Sequence, residues 1–225
     1  VAFNAISGDN VLNAVEKGQD LSVSGTSANL AEGTVVTVTL NGKNYTATTA
    51  ADGTWSLTVP AADLAGLGQA NYTLNATATN GVGNSVSNTA NLLVDTALPT
   101  VTINTVAGDD VINIAEHGQA QIISGTATGA AAGDKVTVTI GGQTYTTVLD
   151  AAGNWSVGVP ASVISGLSDG TVTVTASVTD AAGNTGTGTH NVTVDTGLPS
   201  VAFNAISDDN VLNAVEKGQD LSVSG

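Results

Sequence analysis

The chain has 225 residues, 41% of them hydrophobic but only 3% aromatic and 10% charged; 19 acids against four lysines, with no arginine, give a net charge of −15. That balance leaves no basic patch to neutralise phosphates, which argues against nucleic acid and anionic membrane surfaces as partners. Without Cys or Met, disulfides and zinc–thiolate sites are excluded, and the longest apolar runs fall far short of a bilayer span.

The chain opens on "VAFNAIS", which reads as the start of a strand and not as a secretory leader. It looks like a piece of a longer protein. A gapless repeat follows at an offset of 100: "VAFNAISGDNVLNAVEKGQDLSVSGT" at Val1–Thr26 matches "VTINTVAGDDVINIAEHGQAQIISGT" at Val101–Thr126. "NGKNYT" from Asn41 matches "GGQTYT" from Gly141, and "VDTALP" from Val94 matches "VDTGLP" from Val194. A third copy begins at Val201 and repeats the first 25 residues, with Asp208 in place of Gly8. The reading is two complete units, 1–98 and 99–198, and the opening fragment of a third at 199–225. A period near 100 is a whole domain rather than a solenoid turn. Too short to bury a core alone, the fragment either frays or pairs with a neighbour.

Each unit carries a period-two strand signal. In the second, "VTINTV" and "AQIISGTA" come first. "KVTVTI" then sets Val136, Val138 and Ile140 on one face, and "QTYTTVL" follows a Gly141–Gly142 turn. A "DAAGN" turn leads to "WSVGV". "ASVISGL", like "AADLAGLG" in the first unit, suits a helical turn. "TVTVTASV" points Val172, Val174, Ala176 and Val178 inward, and a second "DAAGN" at Asp180–Asn184 precedes the last strand, "THNVTVD". About seven short strands in roughly 100 residues indicate an all-β fold, tandem immunoglobulin-like sandwiches. Trp55 and Trp155, each opening a strand, belong to the core.

The acids recur with the repeat. The first unit has Asp9, Asn13 and Glu16, the second Asp109, Asp110 and Glu116, the fragment Asp209 and Glu216; Asp95 and Asp195 close the two units. In a seven-stranded sandwich the loop after the first strand approaches the pole where the last strand ends. The 9–16 loop then nears Asp95. The turn before the last strand lies at the opposite pole, so Asp180 and Asn184 of the second unit face the same joint. The expected sets are Asp9, Asn13, Glu16, Asp95 and Asp180 at the first joint, and Asp109, Asp110, Glu116 and Asp195 at the second. A loop folded back would instead pair Asp95 with Asp109 and Asp110. Grouped hard oxygen donors suit Ca²⁺, although the spacing is not that of an EF-hand loop. Carboxylates crowded together without arginine repel unless a cation neutralises them. The competing reading is local: "AGDDVINIAEHG" as a helical turn capped by Asp109 or Asp110.

Catalysis finds little footing. His117 and His190 have no histidine counterpart in the first unit and read as solvated surface. There is no G-x-S-x-G elbow and no phosphate-binding glycine motif before a helix. Acids placed at joints suit a glycosidase cleft poorly.

Taken as a set, "GDDVINIAEHG", "VSGT" or "ISGT", "DGTWS", "VTDAAGNTG" and "VDTALP" resemble bacterial Ig-like repeats of very large adhesins secreted by type I systems, such as Bap-like biofilm-associated proteins and RTX adhesins. The resemblance covers both units and the fragment. It implies a non-enzymatic stalk on the bacterial cell surface, with neighbouring repeats and other adhesin copies on adjacent cells as partners and Ca²⁺ stiffening the joints. By position it carries ligand roles to Asp95, Asp109, Asp110, Glu116, Asp180 and Asp195. The first unit departs from the pattern at Asn10 and Asn80, each an amide where the second unit has Asp. A different function, a module whose loops recognise a glycan or host protein, requires one unit to carry a distinctive aromatic loop.

Overall fold

A computed structural model describes Val1–Gly225. Each unit is a sandwich of a three-stranded and a five-stranded sheet, and no sheet crosses from one unit to the other. In the first unit, β1 (Ala2–Phe3), β3 (Leu21–Thr26) and β6 (Thr54–Val59) form the smaller sheet in the order β1-β3-β6. The larger sheet comprises β2 (Val11–Leu12), β4 (Val35–Leu40), β5 (Lys43–Thr48), β7 (Ala70–Thr79) and β8 (Ser85–Val94), in the order β2-β8-β7-β4-β5. The second unit repeats the plan. Its smaller sheet is β9 (Thr100–Ile103), β11 (Gln121–Thr128) and β14 (Asn154–Val159). Its larger sheet is β10 (Val111–Asn113), β12 (Lys135–Ile140), β13 (Gln143–Val148), β15 (Gly170–Thr179) and β16 (Thr185–Asp195). Helical turns at Ala61–Leu64 and Ala161–Ile164 follow Pro60 and Pro160, each seating one buried residue, Leu64 or Ile164.

The strands number eight per unit, one more than the pattern suggests, because the opening segment divides. Ala2–Phe3 pairs antiparallel with β3, whereas Val11–Leu12 crosses to the other sheet and runs parallel to β8. That parallel pairing brings the end of the loop to the end of the last strand. In the second unit, Asn113 stands opposite Asp195.

Alternation does what the sequence requires. Val36, Val38 and Leu40 are buried on β4, as are Val136, Val138 and Ile140 on β12. Each unit holds a core of 18 buried residues centred on its tryptophan. Gly125 shows how tight that packing is. A Cβ there would lie 1.9 Å from Thr102 O and 2.5 Å from Trp155 Cζ2, so only glycine lets β9 and the indole approach together. Gly25 meets Ala2 and Trp55 in the same way. Residues 199–225 contain no strand; their one ordered element is a helical turn at Glu216–Gly218, and Val201 and Phe203 are largely exposed.

Candidate functional site at the joint between the units

The first unit contributes the end of β8 and the loop that β2 delivers to it. Asp95 N donates to Leu12 O at 3.1 Å, which seats Asn13 beside the chain exit. Asn13 and Glu16 cap each other's backbone. Asn13 Oδ1 accepts from Val15 N and Glu16 N at 2.9 and 3.0 Å, and Glu16 Oε2 accepts from Asn13 N at 3.0 Å. Asp95 Oδ1 accepts from Ala97 N at 3.1 Å, which bends the linker as it leaves the strand. Oδ2 of Asp95 and Oε1 of Glu16 take no hydrogen bond from the protein.

The second unit contributes the Asp180–Asn184 turn. Asp180 Oδ1 accepts from Ala182 N and Asn184 N at 2.9 and 2.8 Å, and Gly183 completes the turn at φ +87°, a left-handed conformation that favours glycine. The turn thereby aims Asn184 across the joint. Asn184 Oδ1 accepts from Ala14 N at 2.8 Å; its Nδ2 donates to Asp95 O at 2.9 Å and to Asp180 Oδ2 at 3.2 Å. Both amide hydrogens and the oxygen are therefore engaged, and the side chain is 2% exposed. The structure thus joins Asn13, Glu16, Asp95 and Asp180 through one buried asparagine, and the loop does not fold back to pair Asp95 with Asp109 and Asp110.

The remaining acids are engaged locally. Asp9, Asp109 and Asp209 each accept from the backbone N–H two residues on. Asp110, at φ +65°, accepts from Val106 N at 2.8 Å and from His190 Nε2 at 2.7 Å. The Val106 bond, and then His190, hold its carboxyl below the usual carboxylate range. The parallel register leaves Asp110 three residues short of the position opposite Asp195, roughly 10 Å at about 3.3 Å per residue. Asp195 Oδ1 accepts from Gly197 N at 3.0 Å, repeating the Asp95 geometry. Glu116 and Glu216 repeat the Glu16 bond to the backbone of Asn113 and Asn213.

Three local readings change. A helical turn does form, at Ile114–His117, but its cap is Asn113, which shares a reciprocal box with Glu116; Asp109 and Asp110 shape the loop before it. The histidines are not merely solvated. His190 meets Asp110, and His117 Nε2 lies 2.9 Å from Leu167 O, where Lys17 Nζ reaches Leu67 O at 2.6 Å in the first unit. The signal was the shared position, not the shared residue type. Sequence reasoning also passed over Asp169, whose Oδ1 accepts from Thr196 N and Oγ1 at 3.0 and 2.8 Å and fixes the second linker.

No set of three or more His, Asp or Glu side chains converges as a metal site. The donor chemistry at the first joint is nonetheless all hard oxygen, with two carboxylate oxygens free of protein partners. Grooves recur at one place in both units, about 410 Å³ beside Trp55 and about 400 Å³ beside Trp155, with small polar side chains in their walls. No helix is long and apolar enough to cross a membrane.

The family model for the bacterial Ig-like domain matches residues 4–96 and 99–196. The chain belongs to that family. Two solved adhesins are similar to this Ig-like pair. One is a Ca²⁺-stabilised adhesin that helps an Antarctic bacterium reach out and bind ice: 40% identity, TM-score 0.59, covering 99% of this chain and 55% of that one. The other is a 1.5-MDa bacterial ice-binding adhesin studied for host cell surface retention: 33% identity, TM-score 0.55, covering 98% of this chain and 73% of that one. The chain thus spans about half the length of the first of these and about three quarters of the second. Fibronectin(III)-like modules of Clostridium thermocellum CbhA share the fold alone, at 14% identity and TM-score 0.51 over 87% of this chain and 94% of that one. No curated protein sequence matches the chain.

Proposed function

We propose that this chain is a spacer segment of a bacterial surface adhesin, stacking Ig-like units end to end to hold a distant binding region away from the cell, with Ca²⁺ stiffening the joints. The observation that carries the reading is the Asn184 clasp. A buried amide that bonds the backbone of the preceding unit twice is a device for fixing the angle between units, and an independent binding module has no use for it. The equivalence of the two cores and grooves supports a repeated spacer over a recognition loop peculiar to one unit.

Calcium enters through Asp95, Asp180 and Glu16, with Asn13 beside them. These residues would hold it, and its charge would offset their mutual repulsion. Asp195 and Glu116 offer the corresponding donors at the second joint. Asp9, Asp109, Asp110, Asp209 and Glu216 stand in this reading as loop-shaping acids. Adhesion, biofilm formation, type I secretion and contact with adhesin copies on neighbouring cells belong to the same proposal, supported by the likeness to the two adhesins.

Calorimetric titration of the chain with CaCl₂ tests the metal. The expected result is saturable binding that Asp95→Asn and Asp180→Asn each weaken by tenfold or more, with the fold unchanged by circular dichroism. Binding insensitive to both substitutions would place any calcium elsewhere.

A further inference from the structure

The two units differ at the surfaces that meet. In the joint seen here, the first unit presents Ala14 beside Asp95, and the second presents Ala182 within the Asp180–Asn184 turn. Both are small, and Ala182 is 7% exposed. The free counterparts are large. Val82, at the same place in the first unit's turn, is 82% exposed; Ile114, at the place of Ala14 on the far pole of the second unit, is 51% exposed. The first unit's turn has the same internal geometry, with Asn80 Oδ1 accepting from Val82 N and Asn84 N at 3.2 and 2.9 Å. Asn84 thus occupies the position from which Asn184 reaches across.

The sequence says which units meet at the second joint. Residues 201–225 repeat 1–25 and differ only at Asp208, so a unit of the first kind follows one of the second. We infer that the far pole of the second unit, Ile114 with Asn113 and Asp195, is the seat for an Asn80–Asn84 turn carried by a first-kind unit, and that Val82 packs there on Ile114 while Asn84 clasps Ile114 N and Asp195 O.

Successive joints then alternate in character. Where a second-kind unit follows a first, two alanines meet beside Asp180. Where a first-kind unit follows a second, Val and Ile meet and the turn carries Asn80, one carboxylate fewer. The apolar joint loses less when a cation is withdrawn, because it has less charge to neutralise and more apolar surface to hide. Two exposed large side chains, unexplained within either unit, thereby acquire a partner. The inference rests on the tandem stalk reading for the stacking order and is independent of calcium for the contact itself.

The test lengthens the full chain after Gly225 with its own Thr26–Leu98, completing a third unit of the first kind. The chain has no cysteine, so introduced pairs carry spin labels cleanly. Pulsed dipolar spectroscopy compares distance widths across both joints in excess chelator. The expected result is a narrow distribution at the second joint that Ile114→Ser, or Ser at the third unit's copy of Val82, broadens at least twofold without change in tryptophan fluorescence. A second joint as broad as a chelator-loosened first joint, insensitivity to both substitutions, or narrowing that appears only as concentration rises would each overturn it. A first joint equally narrow with and without chelator would count against calcium alone.

Discussion

Asn184 Nδ2 donates to Asp95 O at 2.9 Å across the joint, from a turn whose twin in the same unit makes no such contact. Asn154 closes the first "DAAGN" turn, bonds only Asp150 and stays exposed. The two turns share residues and local geometry; the pole at which each lies decides whether its asparagine holds another unit.

Removing that amide is therefore expected to loosen the joint and spare the units. Asn184→Ala leaves Ala14 N and Asp95 O without partners in a buried place, a loss of about 1–3 kcal/mol to the joint. Asn184→Asp costs at least as much, since a carboxylate cannot donate to Asp95 O and adds charge beside Asp180. Residual dipolar couplings check this: the two units should keep their own alignment fits but stop sharing one tensor. A shared tensor in Asn184→Ala would remove the clasp from the account.

Gly125→Ala is expected to destabilise the second unit by about 1–3 kcal/mol or more, since the added methyl meets Thr102 O and the Trp155 ring with no flexible end to yield. Thermal unfolding followed by tryptophan fluorescence should show a separate early transition from this unit, with the first unit unmoved. A matching change at exposed Gly158, where a Cβ would meet nothing within 4 Å, should be near neutral.

Asn113→Ala removes the cap and leaves Glu116 without its reciprocal partner, at a cost of about 1 kcal/mol. Hydrogen exchange should rise at Ala115 and Glu116 first, whose N–H groups the cap holds. Asp109→Asn should leave those amides protected, because Asp109 bonds only Val111 N.

Tyr45 carries a pH signature. Burial, with the hydrogen bond to Asp63 next, pushes its hydroxyl up to about 12, and the Lys43 ion pair with Asp63 holds that carboxyl below its usual range. The folded Tyr45 pKa lies above the unfolded value of about 10, so the unfolded chain loses this proton first and the first unit loses stability as pH rises from about 10 to 12. Asp63 has the opposite sign: its contribution is present above about pH 4 and is lost as pH falls through its depressed folded value. Tyrosinate absorbance should show one of the three tyrosines ionising near pH 12, and Asp63→Asn should bring it part of the way down, because burial is the larger cause.

Much of this was legible in the residues. The strict alternation of "KVTVTI" and "TVTVTASV" announces half-buried strands, and the gapless repeat announces two equal sandwiches. Less legible was anything decided by position in space. The opening segment reads as one strand, because no residue marks its passage from one sheet to the other at the loop between Phe3 and Val11. Asp109 and Asp110 look like the cap, yet Asn113 holds that place, since β10 must finish before the helical turn begins. Lys17 and His117 look unrelated until both are seen reaching the same carbonyl. Asn184 carried no distinguishing mark beside Asn154.

The most direct measurement is the maximum dimension of the 225-residue chain by small-angle scattering, first in millimolar calcium and then in excess chelator. The account predicts a long, rigid pair of units with calcium, and a more compact or heterogeneous ensemble without it, more so in Asn184→Ala. Superimposable profiles in the two buffers would contradict it and leave the acids of the joint as caps and solvated turns.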